Sequence, residues 1–426
     1  MFKSAKFFCS LFWIILISAN ASAQTSVNRA NLNLGLKLLQ TQIAENTDNF
    51  VVSATSVYTI AAMLAVGAEG QAQEELQQNI LAPDGTQTPN ITDSENTIHQ
   101  SKAVEIYSSV WGDDFNRNYK SIIKNTLLAE VFSLPSTTDK INNWINKKTK
   151  GRIPSLLASD KTQPTDLYLV NTIYFKDKWL SPFDNENTKE MPFYSLNRSE
   201  PDNVMMMYQQ EAASYYEDDK MQALRLIYKN GDTIQFFLPR ENIDFVSFVK
   251  NLHAEDLNPE YTHKEDVEIY LPKLNISYKI DNMQELFQKM GVHKIFQPFG
   301  NPLPHMSSKP HYVRRIIHSA NIKIDEEGTV ASAATVTEML EIEFSPAEQY
   351  VFKADRPFLF MINNGLFIGA FTNPEGTDFK DDGTMPEDTE ESGESFLSRI
   401  KNKLFGRRDT NNEDDSTEWK SLHYED

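Results

Sequence analysis

Cysteine is almost missing from this 426-residue chain, with Cys9 the only one. That excludes a disulfide framework, a cysteine metal site and a cysteine nucleophile from any product that has lost its first residues. Positive charge is also scarce: 41 Lys and Arg against 60 Asp and Glu leave a formal net charge of -19. Phosphate recognition needs clustered cations, so no nucleic-acid partner is expected. Beyond Ile17 no stretch approaches the roughly 20 uninterrupted apolar residues of a membrane span. The eight histidines show no metal-ligand spacing. There is no Gly-x-Ser-x-Gly elbow, no His-Glu-x-x-His and no phosphate-binding glycine loop, so an enzyme, a metal and a cofactor all lack support.

At the start of the chain, Lys3 and Lys6 precede an apolar run from Phe7 to Ile17, and Ala21-Ser22-Ala23 forms a small-residue cleavage site. This pattern predicts a removable signal peptide over 1–23 and a secreted, extracellular product beginning near Gln24. Such a product must be held together by a core, and residues 24–374 are long enough to bury roughly three-quarters of their unfolded surface. Asn90-Ile-Thr92, Asn197-Arg-Ser199 and Asn275-Ile-Ser277 are glycan acceptor patterns. Asn90 and Asn197 read as exposed, whereas Asn275 lies in an alternating, strand-like stretch that could cover it.

Helical spacing of apolar residues predicts helices over Leu32 to Ile43, Val57 to Val66, Glu74 to Ile80, Tyr119 to Leu128 and Asp139 to Thr149. Asp139 is read as a cap for the last of these, with Gly151 just past its end. Leu167 to Phe175, Gln222 to Tyr228, Thr233 to Leu238 and Val267 to Tyr270 read as strands. Phe352 to Ile362 and Leu366 to Pro374 are apolar strand sequences joined by Asn363-Asn364-Gly365. No internal repeat is present. After Pro374, residues 375–426 are rich in Asp, Glu, Gly, Ser and Asn and read as an acidic, disordered extension. One basic amphipathic island interrupts it, with Phe396, Leu397, Ile400 and Leu404 on a helical face among Arg399, Lys401, Lys403, Arg407 and Arg408. Such a helix can touch an acidic membrane surface or a partner protein.

The segment from Ile324 to Met339 combines a pivot, Gly328, with small and β-branched residues free of proline. Thr329, Ala331, Ala333 and Thr335 would share one face of an extended strand, a face small enough to slide under a packed layer.

Several long stretches in this order closely resemble a serpin: Asn49 to Ser56 running into Ala61 to Ala68, Ile141-Asn-Asn-Trp-Ile145 with Gly151-Arg-Ile153, Leu169 to Trp179 with Pro182-Phe183, and Phe352 to Pro374. The resemblance covers Leu32 to Pro374. It implies an α+β multi-sheet fold, about nine helices around three mainly antiparallel sheets, with an exposed reactive-centre loop at about 328–352. It also implies a serine protease inhibitor that acts as a suicide substrate, forming a covalent complex with the protease and then inserting its cut loop into a sheet. A non-inhibitory carrier, chaperone or binding protein is the alternative, although the small-residue hinge weighs against it. A monomer is expected. The basic helix that some members use for heparin has an acidic counterpart here, Thr92 to Val110, which argues against heparin binding.

Residue by residue, the resemblance places the hinge at Glu326, Glu327, Gly328, Thr329, Ala331, Ala333 and Ala334. It places Ser53, Ser56, Asn171 and His318 in a hydrogen-bonded latch where the sheet opens, with Trp179 at the top of that sheet. Ala54 replaces a proline usual in the cluster. Counting from Gly328 puts the scissile bond after Ile342, before Glu343, whereas counting back from Pro357 points near Pro346. The bond therefore lies within Met339 to Pro346, with Phe344-Ser345 the second choice. No Lys or Arg occurs between Thr329 and Phe352. The bait thus suits a chymotrypsin- or elastase-like pocket, not one with a buried acid.

Overall fold

The computed structural model describes residues 30–44, 47–82, 103–151, 153–297, 299–329 and 350–374. The chain divides into two units, Met1–Asp378 and Phe379–Asp426, and every described residue lies in the first. The stretches read as a reactive loop (330–349), a leader (1–23) and an acidic extension (375–426), together with Asn90, therefore lie outside the described residues. Among the described residues no helix is long and apolar enough to cross a membrane.

Sixteen strands are described in chain order: β1 (Phe50–Val52), β2 (Val104–Trp111), β3 (Glu130–Phe132), β4 (Asp166–Phe175), β5 (Asp177–Lys178), β6 (Lys189–Phe193), β7 (Asp202–Glu217), β8 (Met221–Ile227), β9 (Thr233–Pro239), β10 (Thr262–Pro272), β11 (Leu274–Ile280), β12 (Tyr312–Ile324), β13 (Gly328–Thr329), β14 (Tyr350–Lys353), β15 (Phe358–Ile362) and β16 (Phe367–Phe371). They form a nine-stranded sheet in the order β1-β16-β15-β9-β8-β7-β10-β14 with β6 on β7, a five-stranded sheet β11-β12-β4-β2-β3, and the pair β13-β5. Most pairs are antiparallel, but β10–β14, β12–β4 and β2–β3 are parallel.

Two helices sandwich the five-stranded sheet. Ala54–Gly67 is buried on almost every side, as its unbroken apolar and small-residue sequence requires. It packs in one core with Leu167 and Leu169 of β4 and Val313 and Ile316 of β12. Alternate residues of the same strands, Tyr168, Val170 and Ile317, face the other way and meet Ile141, Trp144 and Ile145 of the helix Asp139–Lys148. Farther along, Ile173, Phe175, Ala320, Ile322 and Ile324 join a third core shared with the nine-stranded sheet.

Local expectations are met with three corrections, the first being that the helix read as Tyr119 to Leu128 spans Arg117–Asn125, with Leu128 beyond it at φ 50°. Asp139 is the first residue of its helix, not its cap: Thr138 holds the cap position, and the Thr137 hydroxyl donates to the Asp139 carboxylate at 2.9 Å. The run Phe352 to Ile362 is not one strand, because Arg356-Pro357 interrupts it between β14, which pairs with β10, and β15, which pairs with β9 and β16. The Asn363-Asn364-Gly365 turn places three successive residues at positive φ, at 44°, 52° and 97°. Asn and Gly are the residue types that tolerate this conformation.

Candidate functional site: a hinge beside a parallel seam

At the centre of the five-stranded sheet β12 and β4 run parallel, with His318 opposite Asn171. Beyond Ile324 the chain reverses at once. Asp325 and Gly328 exchange backbone hydrogen bonds of 2.9 and 3.2 Å, and β13 then pairs antiparallel with β5. Gly328 has φ +141°, and a Cβ there would fall 2.4 Å from the Asp177 carbonyl oxygen. Only glycine fits this close approach.

The turn is held from several sides. Trp179 is buried and stacks on Tyr228, ring centroids 4.5 Å apart and nearly coplanar. Its indole Nε1 donates to the Asp325 carbonyl at 2.9 Å, and its backbone N–H donates to the Glu327 carbonyl at 3.0 Å. The Phe183 N–H donates to the Glu326 carbonyl at 2.9 Å. The Glu326 carboxylate, 6% exposed, meets Lys273 Nζ at 2.7 Å and accepts from the Thr188 hydroxyl at 2.6 Å. Thr329, fully buried, shares a 2.8 Å hydroxyl hydrogen bond with Tyr228. Burial pushes the Asp325 carboxyl and the Tyr228 phenol above their usual ranges.

The sheet-opening residues differ in kind. Ser53 caps the helix Ala54–Gly67, its Oγ accepting from the Ser56 N–H at 3.1 Å. Ala54 occupies the first helical position, where proline is favoured, and the cap forms without it. The Asn171 amide donates to Ser108 Oγ at 3.0 Å. Ser53, Ser56, Asn171 and His318 are all buried, but among the described residues Ser56 Oγ, Asn171 Oδ1, Ser319 Oγ and both ring nitrogens of His318 lack hydrogen-bond partners. The hydrogen bonds that are present therefore link Ser53 to Ser56 and Asn171 to Ser108, and none reaches His318. Burial lowers the His318 pKa to about 4 and keeps the ring neutral.

Of the remaining candidates, Glu327 is 3.5 Å from Lys178 Nζ in an ion pair at the surface. Ala331, Ala333, Ala334, Ile342, Glu343, Phe344 and Ser345 lie outside the described residues. Asn197 is exposed in a turn at φ 65°, and Asn275 is half-buried on β11 opposite Lys323. Sequence reasoning missed Tyr228, Lys273, Thr188 and Asp325. The partners of Tyr228, Lys273 and Thr188 are far away in the chain, as is the Trp179 indole that binds the Asp325 carbonyl, so no local pattern marks these contacts.

A segment that continued from the Gly328 reversal between β12 and β4 would run antiparallel to both, so one parallel ladder would give way to two antiparallel ones, the slightly more stable arrangement per residue.

Comparison with known proteins follows this geometry. The family model described as Serpin (serine protease inhibitor) matches residues 29–374. The leukocyte elastase inhibitor of Xenopus laevis is 29% identical, the alignment covering 78% of this chain and 96% of the relative. Among solved structures, the thermophilic serpin tengpin in its native state is 24% identical with a TM-score of 0.72, covering 81% of this chain and 94% of tengpin. Human thyroxine-binding globulin complexed with thyroine is 22% identical with a TM-score of 0.71, covering 82% of this chain and 98% of that one. At these identities the two structures speak for the fold alone.

Proposed function

Because the chain belongs to the serpin family, we propose that it is a secreted serine-protease inhibitor that traps a chymotrypsin- or elastase-like enzyme by loop cleavage and insertion. The observation that carries this reading is the parallel β12–β4 seam directly beside the reversing turn at Gly328. In this mechanism the protease serine attacks the carbonyl carbon of the residue before the scissile bond, Ile342 in the first choice. The amine of Glu343 leaves and an ester joins the two proteins. The freed segment then enters the seam and carries the protease with it. Deacylation needs water, base and oxyanion donors in register, and distortion of that arrangement preserves the ester.

The inhibitor named among the relatives, of leukocyte elastase, favours an apolar bait, in line with the absence of Lys and Arg from the loop. Export rests on the leader pattern at 1–23, with glycans at Asn90 and Asn197. The protein acts as a monomer without heparin, as its acidic balance favours. The test is incubation with chymotrypsin and with leukocyte elastase, followed by denaturing electrophoresis and mass spectrometry. A covalent band that survives boiling, with the cut after Ile342 or Phe344, supports the proposal. Complete loop cleavage with undiminished protease activity would overturn it in favour of a carrier or binding protein. In the trap reading, the nicked protein must also melt well above the intact one.

A further inference from the structure

Where β7 leaves β8, the nine-stranded sheet opens into a cleft of about 120 Å³. Ser214 opposite Arg225 is the last β7–β8 pair, and β7 continues beside β10. The other wall comes from the chain after Trp179, where the Leu180 N–H donates to the Ile227 carbonyl at 2.9 Å. Leu180 and Ile227 are 60% and 44% exposed, which makes the entrance apolar. Trp179, Ser181, Glu211, Arg225 and His263 also line the space; the Arg225 guanidinium lies over the Tyr261 ring at 4.1 Å and forms no ion pair with Glu211.

Glu211 is the unusual group. It shares the inward side of β7 with Ala213 and Tyr215, both core residues. Its carboxylate accepts from the Gln209 amide at 2.8 Å and from the Ser181 hydroxyl, both neutral donors. No Lys or Arg among the described residues forms an ion pair with it. Loss of water holds its carboxyl above the usual range. A largely desolvated carboxylate without a cation is costly, and a charge-assisted partner would relieve that cost.

We propose that this cleft is a binding site for a small primary ammonium compound with a short apolar body, its cation on Glu211 and its apolar part between Leu180 and Ile227. The volume suits a single ring or a short alkyl chain and is smaller than a drug-sized pocket. Because Trp179 forms one wall and also holds the Asp325 carbonyl, an occupant braces the hinge turn, and saturation raises the melting temperature of the intact protein. This holds whether or not the loop inhibits a protease.

A ligand-observed NMR titration of the full chain tests the site, using phenethylammonium chloride with phenylacetate and 2-phenylethanol as controls at fixed ionic strength. The ammonium compound is expected to bind saturably, at least about tenfold more tightly than either control. Glu211→Gln, which keeps the neutral hydrogen-bond partners, removes that preference. Leu180→Ala weakens binding of the ammonium compound but leaves its preference over the controls intact. No saturable binding by the unaltered protein, or a preference that survives Glu211→Gln in a variant with unchanged circular dichroism, overturns the proposal.

Discussion

The hinge turn follows directly on the strand β12 whose middle forms the β12–β4 seam, a few residues away, and the two are built on opposite plans. Around Asp325 to Thr329, backbone carbonyls, a carboxylate and a hydroxyl all have partners, and two stacked aromatic rings close over them. At Asn171, His318 and Ser319, buried polar atoms lie between two helices with several hydrogen-bonding capacities unused. Unsatisfied buried polar groups cost about 1–3 kcal/mol each. The sheet is therefore firmly fastened where its chain reverses and less fully hydrogen-bonded at the β12–β4 seam, the place where the proposed insertion would occur.

Truncating the fastened end should have the largest effect. Trp179→Ala removes the ring stacked on Tyr228 and leaves the Asp325 carbonyl with the Gly328 N–H as its one remaining donor, and it should cost about 4 kcal/mol. The urea midpoint of the intact protein reads this directly; a change below about 1 kcal/mol would mean that the hinge is not held as described.

Next comes acid. His318 has a pKa of about 4 in the fold against an ordinary value of 6.5. As pH falls from 6.5 towards 4 the unfolded chain takes up a proton that the native ring refuses, so stability that is complete above 6.5 is progressively lost across that window. The loss approaches about 3 kcal/mol at its lower end. His318→Leu should flatten this part of the profile at little cost at pH 7, because the ring donates and accepts nothing that it would leave behind. Parallel urea midpoints for both proteins between pH 7 and 4 decide the matter, and identical slopes would dispose of the assignment.

Gly328→Ala ranks third. The added methyl group meets the Asp177 carbonyl at 2.4 Å and the Lys178 Cα at 2.6 Å, at a positive φ that L residues rarely adopt. A cost of about 2 kcal/mol follows. In the proposed function the same substitution should also slow covalent-complex formation, which gel time courses would show.

The contrast between the two regions was only half legible in the sequence. Glu326-Glu327-Gly328-Thr329 and Trp179 stand out locally, because a glycine between polar and small residues and a lone tryptophan at a strand end are visible in a window of a few positions. The partners that fasten them are not: Lys273 and Thr188 converge on Glu326 from 53 and 138 residues away, and only the sheet topology joins them. Strands such as Leu167 to Phe175 showed themselves through a largely apolar run interrupted by Asn171 and Thr172, as expected of a strand covered on both faces. That β4 is parallel to β12 could not be inferred, since their pairing depends on the whole intervening chain. The hydrogen bonds of the expected latch were illegible for a related reason. Residue types reveal that His318 can hydrogen-bond, but not whether the packed sheet gives it a partner.

The smallest effect gives the finest test, because it compares two serines three residues apart. Ser53 Oγ accepts the Ser56 N–H and caps a helix whose first turn has no acidic residue, so Ser53→Ala should cost about 1 kcal/mol. Ser56 Oγ is buried without a partner, so Ser56→Ala removes a hydroxyl that contributes no hydrogen bond and should change stability by less than about 0.5 kcal/mol. Urea midpoints measured on both variants separate a capping role from a latch role. If Ser56→Ala proved the costlier of the two, Ser56 would have to hydrogen-bond across the seam, and the middle of the sheet would be fastened as firmly as the hinge.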